Sequence, residues 1–391
     1  MKDLKHLIWF EELLQQAHNE LVEQATAQGQ VALGYNCYYI PEVLLNLPGC
    51  FSSRLRAPNS TTADVASYYM TNRNCPYVRC ILERAIEGGY NYLGALFGAE
   101  GCAAMERMEE HFFLLKPVEN ERFFVTIIDP PMKGDNTSLD YYKAQLREKV
   151  LDKLHQIYGI DTSEKALRGA IEKHNDLCRT VTAIGDFRRL DNPPITGYEF
   201  HVIQLVSQVC PHDLILPYLK ETLEELKTRQ PEPKFPFRAR VVLAGSENDD
   251  PDFTKLIESC GALVVADRYT TSNAVHQASK LPDGEREKFL DWLFGFEYGL
   301  LGLPEPSLVF YLDVPTELTE KMMREREQAT NTKADIHEQD EAYLRACREN
   351  AKKVAERCSW QRIGCSKDGV MRTVEDIHEE IYRRVMELLK A

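Results

Sequence analysis

Short apolar runs alternate along the chain with longer stretches in which apolar residues return every three or four positions. Val31–Tyr35, Tyr92–Gly98, Phe123–Asp129, Arg240–Gly245, Leu263–Asp267, Ser307–Val314 and Trp360–Cys365 have the length and makeup of strands. Helical spacing marks residues 4–26, where Leu4, Leu7, Ile8, Leu14, Ala17, Leu21 and Val22 recur on one face. Further helices are predicted over 103–115, 139–158, 163–189, 198–207, 213–229, 251–260, 273–281, 285–298, 318–326, 340–358 and 373–389. Leu55–Pro58 reads as a short strand or loop, and Pro41 as the first turn of a short helix. Strand–helix alternation of this kind predicts an α/β protein with parallel sheets covered by helices. The proline-rich connector 230–236 is the strongest boundary signal. The expected organisation is an α/β lobe over 1–137, a helical segment over 138–229 and a second lobe over 238–391.

At 391 residues the chain can build two or three cores. An apolar content of 43% with 28% charged residues is that of a soluble globular protein, and no apolar run reaches the length of a membrane span. The opening residues lead into an acid-containing amphipathic helix, so a cytoplasmic location is expected. A net charge of −14 with no basic stripe argues against nucleic acid as a partner. The 11 cysteines are odd in number and form no CxxC pair, which points to reduced thiols rather than disulfides or a zinc ribbon.

Two of those cysteines stand out by position. Cys75 precedes Pro76, and Cys102 follows Gly101, so both fall at predicted helix N-termini, 27 positions apart. The partial positive charge of a helix start favours thiolate, the form that iron–sulfur clusters require. Two packed cysteines near turns are the plainer reading of the same spacing. A second feature is the stretch 261–277, where Asp267-Arg268-Tyr269 closes a strand and a polar helix start follows. Polar groups past the end of a parallel strand are where open α/β sheets bind ligands.

Over residues 1 to about 266 the chain resembles the D-component family of 2-hydroxyacyl-CoA dehydratases, relatives of benzoyl-CoA reductase. The resemblance rests on Leu55-Arg56-Ala57-Pro58, on 71–79 with Asn74-Cys75-Pro76-Tyr77, on Gly101-Cys102, and on Val242–Ser246 with Asp249-Asp250-Pro251. It implies two Rossmann-like lobes with a helical insertion and a [4Fe–4S] cluster held by three cysteines. It further implies a second dehydratase subunit, and an ATP-dependent iron–sulfur activator that injects one electron into an acyl-CoA substrate. The electron makes a ketyl radical anion at the thioester carbonyl, and water is then eliminated from the 2-hydroxyacyl-CoA. By motif position Cys75 and Cys102 are the first two ligands. The family's third ligand belongs to its C-terminal lobe, where none of Cys347, Cys358 and Cys365 matches the motif.

From about 264 to 391 the chain resembles the C-terminal part of thymidylate kinase. The residues concerned are Asp267-Arg268-Tyr269, Ser272–Gln277, Tyr311–Pro315 and 324–343. The resemblance implies ATP, Mg²⁺ and dTMP as ligands. Arg268 would hold the acceptor monophosphate beside Asp267, with Ser272, Asn273 and Gln277 in the nucleoside pocket. Arg324 and Arg326 would lie in the lid and stabilise phosphoryl transfer. No GxxxxGK[ST] loop occurs, and the equivalent turn, 245–251, carries three acids and no lysine. The second lobe, 238–391, is therefore expected to be a doubly wound sheet of hybrid origin, dehydratase-like over 238–266 and kinase-like over 264–391. Three readings follow: an incomplete dehydratase component, a thymidylate kinase, or a non-catalytic fusion or misassembled frame. Coverage favours the first for ancestry, and the missing parts favour the third for activity.

Overall fold

The computed structural model describes residues 3–37, 39–60, 62–71, 74–131, 136–231, 237, 239–243, 248–267, 283–295, 309–315, 318, 341–367 and 370–388. The chain packs into two units, Met1–Val242 with Ser246–Ala266, and Leu243–Gly245 with Asp267–Ala391.

At the heart of the first unit lies a four-stranded sheet of order β2-β1-β3-β4, built from β1 (Val31–Tyr35), β2 (Cys50–Arg54), β3 (Leu93–Ala99) and β4 (Phe124–Ile128). Every neighbouring pair is parallel, with Tyr35 opposite both Arg54 and Phe97, and Ala99 opposite Ile128. The chain leaves β1 for one neighbour, β2, and later returns to its other side as β3. This reversal of direction opens a crevice beyond the carboxyl ends of β1 and β3. Helices α3 (Pro76–Ile86) and α4 (Ala103–Leu115) cover one face through Val78, Ile81, Leu82, Met108 and Phe112. The other face packs on a core containing Leu45, Leu47, Val150, Leu154 and Ala170. β4 is an edge strand, and its open side is covered: Lys149 Nζ donates to Ile127 O, and Gln145 bonds both the N–H and the C=O of Asp129.

Strand β2 departs from expectation. The strand or loop predicted at Leu55–Pro58 lies just past it, and Cys50–Arg54 gave no apolar run to detect. All five of its residues are buried. Its polar groups are satisfied inside: Ser52 Oγ donates to Glu42 (2.8 Å), Asn46 Nδ2 donates to Ser52 Oγ (2.9 Å), and His212 Nε2 lies 3.1 Å from the Glu42 carboxylate. Burial alone would push the Glu42 carboxyl up, but His212 and Ser52 more than offset this and hold it below the usual range.

The helix predicted over 4–26 is two helices, α1 (Leu7–Leu13) and α2 (Glu20–Ala27). Asn19 makes the break by accepting the N–H bonds of Leu21 and Val22 with its side chain. The helix expected from Pro41 is one tight turn, Glu42–Leu45. The segment from α5 (Asn136–Gln145) runs through a π-helical stretch, Leu146–Asp152, into α6 (Lys153–Tyr158).

Helices α7 (Glu164–Asp186), α8 (Gly197–Val209) and α9 (His212–Thr228) build a separate core with α1. Strands β5 (Ala239–Leu243) and β6 (Ala262–Asp267) pair with each other, with α10 (Pro251–Ser259) between them in sequence. Glu258 of α10 accepts the backbone N–H of Gly197 and Tyr198, so a carboxylate caps the positive end of α8. Gly197 must be glycine here, since a Cβ would lie 2.4 Å from that carboxylate and 2.5 Å from Val264 O.

At the start of α10 three residues divide the labour. Pro251 fills the first turn, Asp250 caps the helix by accepting the Asp252 N–H, and Asp249 reaches back to the sheet. Its carboxylate is 2.8 Å from Arg54 Nη1 and 3.0 Å from Arg56 Nε, while Arg56 Nη2 donates to Asp249 O at 2.7 Å. Both arginines are buried.

In the second unit the described elements are α11 (Asp283–Phe294), β7 (Phe310–Asp313), α12 (Glu341–Arg357), β8 (Gln361–Gly364), the short antiparallel pair β9 (Ser366–Lys367) and β10 (Val370–Met371), and α13 (Val374–Leu388). β7 and β8 pair in parallel. Asp313, buried at the end of β7, is bonded by Arg348 at 2.8 Å and by Arg362. Leu290, Leu293 and Val354 form a small core.

Removing the Asp249 carboxylate leaves two buried guanidinium groups without it. Asp249→Ala is expected to cost about 3–5 kcal/mol. Asp250→Ala loses only a helix cap and should cost about 1 kcal/mol. Urea unfolding of the two variants side by side checks this, and equal losses would contradict it.

Candidate active site at the carboxyl edge of the first sheet

Cys75 and Cys102 occupy equivalent places. Each is the residue before the first helical turn, Cys75 of α3 and Cys102 of α4, and neither side chain caps its own helix. Both helices are crossovers of a parallel sheet, so both N-termini stand at its carboxyl edge, beside the crevice between β1 and β3. Cys102 is exposed and Cys75 half-buried. The first-turn N–H groups of two helices thus face the edge where these thiols sit, an arrangement suited to anionic ligands.

The surrounding polar groups are fixed from the sheet outward. Tyr77, two residues after Cys75, donates its hydroxyl to Leu55 O at 2.7 Å, and Tyr90 donates to Arg56 O at 2.7 Å. Arg54 lies over the Tyr77 ring, 5.8 Å from its centroid. The Arg54–Asp249–Arg56 cluster therefore holds the strand end against which the start of α3 is anchored. His201 joins the same region: its Nε2–H donates to Asn248 O (3.1 Å), leaving Nδ1 to accept from Thr254 Oγ1 (2.9 Å). Burial pushes its pKa below the ordinary histidine value, which keeps it neutral.

A buried acid lies deeper under the crevice. Glu109 of α4 packs on Gly98 of β3, where an added Cβ would meet its carboxyl carbon at 2.0 Å, so glycine alone fits. Burial first, and the negative charge of Glu106 second, push its pKa up to about 8. Asn36, just past the end of β1, is 2% exposed, and its amide faces the Glu109 carboxyl, opposing in part the effect of burial on that acid. Such groups are costly to bury and concentrate at functional positions. Nothing in the sequence pattern singled out Asn36 or Glu109. A glutamate on the same helix face as Met105, Met108 and Phe112 was the available signal.

Among the described residues, no three histidine, cysteine or acidic side chains are close enough to share one metal ion. Of the residues expected in a nucleotide site, Asp267 ends β6. Arg268, Ser272, Asn273, Gln277, Arg324 and Arg326 lie outside the described residues. The cysteines whose side chains are described are thiols rather than disulfides, and no described helix is long and apolar enough to cross a membrane.

The model of the family described as 2-hydroxyglutaryl-CoA dehydratase, D-component, matches residues 37–291. This chain belongs to that family. The match begins just past β1 and takes in both cysteines and the Asp249 cluster. Among curated proteins, the (R)-phenyllactyl-CoA dehydratase beta subunit of Clostridium sporogenes is 22% identical over 262 residues, 66% of this chain and 67% of that subunit. Thymidylate kinase of Mycobacterium tuberculosis is 35% identical over 79 residues, which is 20% of this chain and 37% of the kinase. The family resemblance expected from the motifs is thus found, together with a short kinase match.

The raised pKa of Glu109 has a definite sign in stability. An unfolded glutamic acid ionises near pH 4.3, whereas the folded one holds its proton until about pH 8. Between those values the unfolded state binds fewer protons, so stability falls as pH rises and levels off above about pH 8. Glu109→Gln should flatten that slope, a difference on the order of a few kcal/mol across the window. Urea unfolding of both proteins at several pH values between 5 and 8 measures it, and parallel curves would rule it out.

Proposed function

We propose that this chain is a subunit of a 2-hydroxyacyl-CoA dehydratase, with its active site at the carboxyl edge of the first sheet. The observation that carries this reading is the matched placement of Cys75 and Cys102 at two crossover-helix N-termini beside the strand-order reversal, within the family-matched segment. As a donor set for a [4Fe–4S] cluster the two thiols fit: they are soft ligands, unused by their own helices, and backed by backbone N–H groups. When bound, such a cluster would polarise the thioester carbonyl of an acyl-CoA and pass it one electron supplied by an ATP-dependent activator.

The chain's own residues then position and shield. The Arg54–Asp249–Arg56 cluster fixes the strand end, Tyr77 fixes the start of α3, and Glu109 holds a proton in a water-poor place at neutral pH. A second dehydratase subunit and a 2-hydroxyacyl-CoA complete the reading, consistent with the phenyllactyl-CoA relative being itself a beta subunit. Anaerobic purification should give a brown protein with stoichiometric iron and sulfide. It should dehydrate a 2-hydroxyacyl-CoA only with activator, ATP and partner subunit. A colourless, iron-free protein after anaerobic reconstitution would sink the reading.

The 79-residue match supports a second reading, dTMP phosphorylation by the second unit with ATP and Mg²⁺. Arg268 would hold the monophosphate with Asp267 beside it, Ser272, Asn273 and Gln277 would line the nucleoside pocket, and Arg324 and Arg326 would act on the transferring group. The acids at 249 and 250 do not form a phosphate cradle: one ties down two arginines and the other caps α10. ADP formation dependent on dTMP and lost in Arg268→Ala would support this reading. Neither turnover nor a thermal shift with dTMP would dispose of it.

A further inference from the structure

We infer that this chain binds a small organic carboxylate with an apolar body in a cleft along the open edge of the first sheet, where Glu109 donates a hydrogen bond to the carboxylate and Lys153 supplies a positive charge. The inference is independent of the dehydratase reading. The cleft has a volume of 610 Å³, within the range of small-molecule sites. It lies where α4, the edge strand β4 and the π-helical stretch Leu146–Asp152 meet. Short π-helical turns recur at functional sites.

The lining has three parts. Phe113 and Leu114 of α4, with Val125 and Ile127 of β4, form an apolar wall. Phe113 and Leu114 are each 66% exposed, so an apolar ligand body laid against them would remove that surface from water. On the other side Lys149 and Lys153 bring ammonium groups to the edge of β4. Lys149 is committed to Ile127 O and Gln145 Oε1, both at 2.8 Å. Lys153 Nζ stands 3.5 Å from Thr126 Oγ1 and 5.5 Å from the centroid of the Phe124 ring, weak contacts that leave its charge available.

The most buried residue of the lining is Glu109, 1% exposed, which lies on Gly98 of β3 and faces Asn36. Burial, and then the charge of Glu106, push its pKa up to about 8, so at neutral pH it is a hydrogen-bond donor. A neutral acid of this kind is best matched by an anionic acceptor, since charge-assisted bonds are the stronger ones. The remaining charged groups do not alter the choice. Glu110 and Glu148 stand exposed at the rim, and Glu110 is bonded to Arg107 at 2.6 Å. β3 and β4 present only Gly98, Val125, Thr126 and Ile127 here. A cation would be repelled by the lysines, and an uncharged apolar molecule would use neither the acid nor Lys153. A carboxylate with an aryl or alkyl body meets all three parts of the lining.

The test is isothermal titration calorimetry of the whole chain at neutral pH with 4-phenylbutanoate and hexanoate, beside 4-phenylbutan-1-ol and acetate. The first two should bind, and the alcohol and acetate, each lacking one half of the match, at least about tenfold more weakly. Lys153→Met should weaken 4-phenylbutanoate about tenfold. Leu114→Glu changes a side chain that is already exposed, so it leaves the core intact, and it should abolish binding. Above about pH 8 the wild-type affinity should fall about tenfold per pH unit, because the ionised Glu109 must regain its proton before the anion binds. Glu109→Gln keeps a donor but not the titration, so its affinity should stay level over the same range. A folded wild-type chain that binds neither carboxylate at millimolar concentration would overturn the inference. So would binding of the alcohol as tight as that of the acid, or an affinity indifferent to Lys153→Met, Leu114→Glu and pH. No cluster, CoA ester or partner enters the measurement, so each result leaves the dehydratase reading where it stands.

Discussion

One carboxylate, that of Asp249, holds together the part of the molecule in which chemistry is expected. Two guanidinium groups are buried beside it, and neither arginine could be left there without compensation. The consequence extends outward through hydrogen bonds. Arg56 also donates to Leu14 O, and its own carbonyl accepts the Tyr90 hydroxyl. Leu55 O accepts from Tyr77, which sits in the first turn of the helix that Cys75 opens. The thiol's position is thus inherited from a strand end, and the strand end from a side chain 193 positions later in the sequence. An ion cluster of this kind contributes placement more than net stability, since its desolvation offsets much of its attraction.

The same arrangement explains which parts of the structure could be read from the amino-acid order. Strands β1, β3 and β4 are apolar runs, and the helices from 103 onward to 229 follow their periodicity within a few residues, because in each the buried face is also the hydrophobic one. β2 breaks that equivalence. Ser52, Ser53 and Arg54 are buried but polar, and their partners, Glu42 with Asn46, Tyr92, Gln208 and Asp249, come from four separate segments. A pattern that equates burial with apolarity cannot register such a strand. The two cysteines were legible because Pro76 and Gly101 mark local backbone events. The Arg–Asp cluster and the Asn36–Glu109 region were not, because each is assembled only when distant segments meet.

The kinase-like features need a different physical account. A turn of acids ahead of a helix was a poor place for phosphate when read as sequence, and the structure gives the acids other work, one as counter-charge to two arginines and one as a helix cap. The division between packing units falls between Ala266 and Asp267, whereas the dehydratase family match runs on to residue 291. Similarity to one family and compactness as a unit are separate properties. Two doubly wound ancestors can share a strand end without sharing the loops that confer activity.

The crevice region also shows where this unit forgoes stability. Glu109 is buried against a glycine that no other residue could replace, Asn36 is buried beside it, and the charge of Glu106 adds to the difficulty of ionising Glu109. Each of these is unfavourable in the isolated chain. They gather at the end of β1 and along β3, the two strands between which the chain reverses its winding direction. A fold selected only for its own stability would fill such positions with leucine and alanine, as the rest of this core does. Buried polar groups beside the crevice that the strand order leaves open are where a polar ligand would find partners.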